Sequence, residues 1–476
     1  MLTNVLAASG SPADRHETWD PRLTYVVGHQ RPDTDAIASA LGYAWFLSHT
    51  GHAHVRAARA GQPGDQAVFA LKRFDQAAPP LLRAVAPTFG HIAGACPTVL
   101  PDAKLAEAMA LLAEGAQVVP VVDAEGRPLG VVTPLALARV YSQSMSGDNG
   151  GVGTTRRVRA VIASAPLFTP ALLCHEIAEA LPTFRAGERI SDYRTPLVRS
   201  DSNQYLVVDA AGRYVGLATQ RSVLQPPRAR LILVDHNELG QAVVGADEAE
   251  IVGVLDHHRL GNPPTAAPIP FVVDPVGSTS TLVAEACEAD DLVPPPGIAG
   301  MLLSGILSDT LVFRSPTAGA RDRAMAAWLA GLCGVDDIAR FGDELLRASP
   351  GFGARTADEI VDADRKRYEM GAANLPVSVA QVEVTGGTGT AQLAERRPEL
   401  LAALETRRER EHLALACLMV TDVVTGRSRL VCAGDARILA GLPFARTADG
   451  EWDLGDMVSR KKQLVPALMS VIESVL

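Results

Sequence analysis

The order of apolar and polar positions along the chain predicts an alternation of short buried strands and helices. Leu23–Val27 (LTYVV) is a β-rich apolar run that ends at Gly28. A polar loop follows, and Ala36–Ser48 then carries apolar residues at helical spacing, so a strand–loop–helix unit opens the fold. The rhythm returns where Leu231–Val234 (LILV) ends at Asp235 and Ile251–Leu255 (IVGVL) ends at Asp256. Strands of this kind, alternating with helices, predict a mainly parallel sheet covered on both faces. Ligands of such sheets bind beyond the carboxyl ends of the strands. Three prolines, Pro294 to Pro296, precede an apolar helix expected over Ile298–Leu307. Ala348–Ala354 is rich in small residues and predicts a hinge. Beyond it a second α/β unit is expected, with helices over Thr356–Tyr368 and Pro398–Leu415 and strands over Val377–Val384, Ala416–Val420 and Arg429–Cys432.

Between Pro79-Pro80 and Pro226-Pro227 the texture changes. VVPVVDAEGRPLGVVT and QYLVVDAAGRYVGLAT each read as strand, Asp-x-x-Gly turn, strand, and the spacing from Asp123 to Thr133 equals that from Asp209 to Thr219. An internal repeat of this sort packs one copy on the other. The Gly-rich stretch Ser146–Thr155 is the expected linker between copies.

Composition narrows the class. At 476 residues the chain is too long for one core, and two to four compact units are expected. A net charge of −10 without a strong basic run argues against nucleic acid as partner. No apolar run reaches the ~18–20 residues that span a bilayer. The N-terminus, expected to be a flexible tail over 1–21, lacks the pattern of a signal peptide. The six cysteines are scattered without a CxxC pair, which fits reduced thiols in a cytoplasmic protein.

Four polar clusters stand at the ends of apolar runs. GHQRPDTDAI places His29, Asp33 and Asp35 after the first strand; VDHNE contributes Asp235; LDHH contributes Asp256, His257 and His258; SGILSDT puts Asp309 at the end of a helix. Mixed His and Asp ligands suit Mn²⁺, Co²⁺ or Zn²⁺. Crowded carboxylates repel unless cations sit among them. Asp33, Asp35, Asp235 and Asp309 with His29 and His257 suffice for two metals sharing one carboxylate. Two ions ~3.5–4 Å apart can share a hydroxide and clamp an in-line phosphoryl displacement. A single Asp or His after a strand is as often a turn or cap residue; here Thr34 or Asp35 could cap the next helix. Four clusters in this order are hard to explain that way.

GHQRPDTDAI, VDHNE, LDHH and SDT, in that order, resemble the DHH phosphoesterase superfamily. SRKKQ at Ser459–Gln463 and Lys366 in ADRKRYEMG resemble its family II inorganic pyrophosphatases, which are manganese- or cobalt-dependent. The resemblance implies an α/β DHH phosphoesterase domain over 22–83 and 228–347, an inserted pair of CBS domains over 84–227, a hinge at 348–355, and a C-terminal α/β domain over 356–476 that closes over the active site. It implies a first metal on His29, Asp33 and Asp235, and a second on Asp35, His257, Asp309 and the bridging Asp235, with additional Mg²⁺ arriving with pyrophosphate. His258 would face the phosphate, Asp256 would orient the histidines, and Lys366, Arg460 and Lys461 would grip the substrate. A homodimer is implied as well, as is binding of AMP, ADP or ATP by the insert. The sequence departs from the CBS pattern, however. The ribose-binding Asp expected three residues after each Thr is Ala136 after Thr133 and Ser222 after Thr219.

Two other functions compete. A DHH nuclease of short oligonucleotides or cyclic dinucleotides would carry a Gly-rich, His-containing motif in its second domain, and Thr385–Thr390 (TGGTGT) has no His. A non-catalytic nucleotide sensor would be expected to have lost ligands, and none is missing.

Overall fold

A computed structural model describes residues 19–146, 172–348, 352, 355–384, 388–422 and 426–475. The expected tail (apart from residues 19–21), the Gly-rich linker beyond Ser146, most of the hinge and residues 385–387 of TGGTGT lie outside the described residues. The chain forms two compact units, 1–85 with 229–476, and 86–228.

In the first unit, β1 (Thr24–Val27) and β2 (Val55–Ala58) precede the insert. The insert supplies β3 (Val119–Val122), β4 (Pro128–Val132), β5 (Thr183–Arg185), β6 (Gln204–Val208) and β7 (Tyr214–Thr219), after which the chain returns with β8 (Arg230–Val234), β9 (Glu250–Asp256) and β10 (Phe271–Val273). The first unit's sheet has the order β10-β9-β8-β1-β2, all parallel. Parallel register puts every carboxyl end on one edge, and β1, β8 and β9 are adjacent. The residues that follow them therefore converge. Helices Thr34–His49, Thr279–Ala289 and Pro296–Asp309 pack on one face around Ile37, Val283 and Leu302. Gly42 lets two of them touch, since a Cβ there would lie 2.6 Å from Leu302 Cδ2. The other face is covered too, as expected. Trp19, Leu82, Val85 and Val243, from irregular segments, seal Tyr25, Leu231 and Leu233.

The C-terminal domain belongs to the same unit. Its strands β11 (Lys366–Met370), β12 (Leu375–Val384), β13 (Leu415–Asp422), β14 (Arg427–Gly434), β15 (Ala445–Arg446) and β16 (Trp452–Gly455) form a mixed sheet in the order β11-β12-β13-β14-β16-β15. Side chains of β13 alternate between two cores, as the twofold pleat requires. Ala416, Leu418 and Val420 meet helix Thr388–Arg410, while Leu415, Cys417 and Met419 meet helix Val465–Val475. The helix expected over Thr356–Tyr368 is only Ala357–Asp362. Its Thr356–Glu359 capping box starts it, but Asp364 takes φ +37° and Lys366–Met370 alternates buried and exposed as a strand. Lys366 thus stands on a strand, not a helix.

Within the insert the repeat is visible in detail. β3–β4 and β6–β7 are antiparallel hairpins, and each has a parallel neighbour, a bridge at Val99 in the first copy and β5 in the second. In each turn the Asp carboxylate accepts from a backbone N–H four residues on, at Arg127 and Arg213. The left-handed position is a glycine both times, Gly126 and Gly212. Thr133 and Thr219 then each accept a backbone N–H at the start of the following helix.

Candidate metal centre

β1 must turn into its helix at once for His29 and Asp33 to reach the sheet edge. Gly28 makes this possible, because a Cβ would lie 2.7 Å from that of Ala36. Asp33 is the helix N-cap. Its Oδ1 accepts from Ala36 N at 3.0 Å, and its Oδ2 is left facing His29 Nε2 at 3.3 Å. One carboxylate therefore serves as cap and as candidate ligand, and the cap is Asp33 rather than Thr34 or Asp35.

Asp35 lies in the first turn of the same helix and is fully buried. It faces the start of helix Thr279–Ala289, accepting from Ser278 Oγ, Thr279 N, and Ser280 N and Oγ at 2.5–3.0 Å. Gly305 makes room for it, since a Cβ there would sit 2.8 Å from Asp35 Oδ1. Burial, with repulsion from Asp235 and Asp309, pushes its pKa well above the usual carboxylate range.

Asp235 follows β8 with φ +59°, a conformation in which a non-glycine residue is strained. It is 0% exposed, and neither carboxylate oxygen receives a hydrogen bond. Its Oδ2 lies 3.2 Å from His29 Nε2 and its Oδ1 lies 3.3 Å from His257 Nε2. Burial opposes its charge, but the Lys461 ammonium, with His257 and His29, holds its pKa well below the usual range.

Asp256 ends β9 and does the opposite job. It accepts from the backbone N–H of His257 and His258, from His258 Nδ1 at 2.6 Å, and from Asn237 Nδ2 at 2.5 Å. A satisfied carboxylate like this orients its neighbours. His257 Nδ1 donates to the Val276 carbonyl at 3.1 Å, which aims Nε2 at Asp235 and, 3.2 Å away, at Asp309 Oδ2. Burial disfavours charge on His257, but the Asp235 and Asp309 carboxylates outweigh it and raise its pKa to about 10. Burial and Lys461 instead push His258 down to about 3.

The donor set fits divalent cations. Asp235, His29 and Asp33 form one group whose ligand atoms lie within 4.8 Å of one another; Asp35, Asp235, His257 and Asp309 form a second. Metal–ligand bonds of ~2.1 Å at right angles separate neighbouring donors by ~3 Å, close to the 3.2–3.3 Å gaps here. Buried carboxylate oxygens without donors would be costly unless a cation satisfied them. Asp235 sends one oxygen to each group, and Asp256 contributes orientation.

The second domain brings cations to the same place. Lys366 Nζ is 2.9 Å from His29 Nε2, and Lys461 Nζ is 2.5 Å from His258 Nε2. Burial and Lys461 lower the Lys366 pKa to about 7. Arg460 is anchored by Asp364 at 2.9 Å, while its Nε has no partner. All of the expected site residues except His29, Asp35, Asp235, Asp256 and Lys366 line one cavity of about 700 Å³; those five pack behind or beside it. Sequence reading missed Lys462, whose Nζ donates to Val276 O at 2.8 Å. It also missed Ser278–Thr281, Asn237 and the chain Ser308–Gln66–Glu383, linked at 2.8 and 2.7 Å. The run of hydroxyl residues after Gly277 was a signal, but it reads first as a helix cap.

A parallel sheet whose carboxyl edge carries clustered His and Asp side chains able to hold metal ions, faced by a domain that brings lysine and arginine, fits a metal-dependent hydrolase of phosphoryl bonds. Residues 23–306 match the DHH family, N-terminal domain, and residues 343–471 match the DHHA2 domain. A Methanothrix thermoacetophila manganese-dependent inorganic pyrophosphatase is 36% identical over 51% of this chain and 78% of its own length. The Thermotoga maritima protein named as a manganese-dependent inorganic pyrophosphatase is 28% identical over 94% of this chain and 98% of its own. A Methanococcus jannaschii crystal structure, of a protein named as a family II inorganic pyrophosphatase, shares the fold with a TM-score of 0.58 at 22% identity, covering 94% of this chain and 99% of that one. The chain belongs to the DHH family, in the branch of these pyrophosphatases. Among the described residues no helix is long and apolar enough to cross a membrane.

Proposed function

We propose that the chain hydrolyses inorganic pyrophosphate to two orthophosphates at a pair of divalent transition-metal sites, one on His29, Asp33 and Asp235 and one on Asp35, His257, Asp309 and Asp235. The observation that carries this reading is Asp235, buried, without a hydrogen-bond donor, and placed with one oxygen toward each ligand group. Manganese or cobalt bound there, with Mg²⁺ brought by the substrate, supplies Lewis acidity and a water acidic enough to ionise near neutral pH.

The chain's own groups do the rest. Asp256 holds His258 by Nδ1, so that Nε2 is the nitrogen offered to the cavity. Lys366, Arg460 and Lys461 supply charge to the phosphate oxygens, lysine as a point charge and arginine as a planar fork. With the anion present, both lysines exchange imidazole nitrogens for phosphate oxygens. The region 22–83 with 228–347 thereby holds the metals and 356–476 grips the substrate and excludes water. Every proposed ligand lies outside the insert, 84–227. Ala136 has no polar side-chain atom, and the Ser222 hydroxyl is already bonded to Thr219, so adenine nucleotides have weak purchase there.

Chelation should abolish phosphate release, and Mn²⁺ or Co²⁺ should restore it. Parallel assays on pyrophosphate and on short RNA separate this reading from the nuclease. Full activity in a metal-free preparation, or nucleotide release exceeding phosphate release, would contradict it.

A further inference from the structure

A second cavity, about 610 Å³, lies behind the histidine pair. It shares His257, His258, Thr317, Lys461 and Lys462 with the first, so the two meet at the reaction centre. Besides His257 Nε2, which faces Asp235 and Asp309, two polar atoms on its wall are buried without a hydrogen-bond partner, the Tyr368 hydroxyl and His236 Nε2, in residues 5% and 2% exposed. Such atoms are costly unless something polar reaches them. The carboxylates on this wall are already engaged, Asp256 by His258 and Asn237, and Glu238 by Arg259 at 3.0 Å. The charge left for a visitor is that of Lys461 and Lys462, which suits an anion. At the mouth stand Pro275, Pro316 and Pro466, all exposed, three rings of fixed φ that make a stiff rim.

We propose that this cavity receives one orthophosphate product and lets it leave without the second domain lifting from the first. The proposal rests on the pyrophosphatase reading above. Hydrolysis cleaves one P–O bond of the anhydride bridge and forms one to the oxygen of water. P₂O₇⁴⁻ and H₂O become two HPO₄²⁻, the two water protons ending one on each product. Each product thus carries a P–OH that fully ionised pyrophosphate lacks. His236 Nδ1–H donates to the Val234 carbonyl at 2.9 Å, so its Nε2 offers a lone pair, the acceptor a P–OH needs. The Tyr368 hydroxyl donates to an anionic oxygen. The cavity therefore favours product over substrate.

The test uses the metal-loaded full chain. Pro316→Trp should narrow the mouth, lowering steady-state kcat about fivefold or more while the first turnover keeps its wild-type rate, so a burst of phosphate appears. Pro466→Trp repeats the plug from a different element should the first variant misfold. Tyr368→Phe should raise the inhibition constant for orthophosphate several-fold and leave KM for pyrophosphate unchanged. Wild-type kcat in both plugged variants with wild-type phosphate inhibition in Tyr368→Phe would overturn the proposal. So would slowing of the first turnover as large as that of steady state. A wild-type chain that releases no phosphate at all sinks the functional reading itself, and the proposal with it.

Discussion

Two kinds of aspartate follow strands in this chain. Asp123 and Asp209, in the insert, close their own hairpins. Asp209 accepts from Ala211 N, Arg213 N and Arg213 Nε, and these bonds, the Arg213 backbone first, keep its pKa low. Asp235, after β8, accepts from nothing, is sealed from solvent, and sits in a strained backbone conformation. Both kinds look alike in sequence, an Asp after an apolar run. The difference is where the donors come from. A turn aspartate brings its donors within four residues, whereas Asp235 is denied them and is balanced by cationic groups from elsewhere in the fold, Lys461 first. Asp33 shows that one side chain can divide these roles, one oxygen for the helix and one for the centre.

Substitutions can break this comparison at either end. Asp235→Asn should cut kcat by roughly 10³-fold or more even at saturating metal, because a neutral amide cannot balance two cations; turnover within tenfold of wild type would remove the bridging role. Lys461→Ala should lower kcat/KM by about 10–100-fold with metal content unchanged, the signature of a group acting on substrate. Loss of metal together with activity would make it structural instead.

Glu383 gives a smaller, pH-dependent effect. Burial first, then repulsion from Asp364, Asp309 and Asp33, raises its pKa from 4.5 to about 7. The folded chain therefore holds a proton that the unfolded chain has lost between those values, and stability falls as pH rises through that window. Glu383→Gln keeps an acceptor for Gln66 and removes the charge. It should stabilise the metal-free protein by about 1–2 kcal/mol at pH 8.5 and leave it nearly unchanged at pH 4.5, by chemical denaturation. An equal effect at both pH values would show that ionisation is not the cause. Smallest of all, Asp209→Ala should leave pyrophosphate turnover within twofold of wild type while loosening the insert's hairpin, seen as faster amide exchange over Val208–Tyr214. A large loss of turnover would mean the insert is not separable from catalysis.

Much of the candidate centre was legible because its His and Asp residues directly follow apolar runs. A parallel sheet aligns those run ends by construction, so His29, Asp235, Asp256 and His257 could be placed before any coordinates. Partners that meet only through packing were not legible. Gln66 and Glu383 are 317 positions apart, and nothing local to either announces the other. Lys366 fell inside the helix expected over Thr356–Tyr368; that helix ends at Asp362, and the twofold alternation of β11, which lasts only five residues, is too short to stand out beside it. Both faces of the first sheet are covered as expected, but the kind of cover on each was not legible. Buried strands demand apolar cover, but they do not say whether helix or loop provides it.

Asp235 is proposed to join two metal ions. Metal content after equilibration with Mn²⁺ and gel filtration, read by elemental mass spectrometry against protein concentration, tests it most directly. Two ions per wild-type chain are expected, with Asp235→Asn weakening retention of both. One ion per wild-type chain, or Asp235→Asn retaining two as tightly as wild type, would contradict the bridging role.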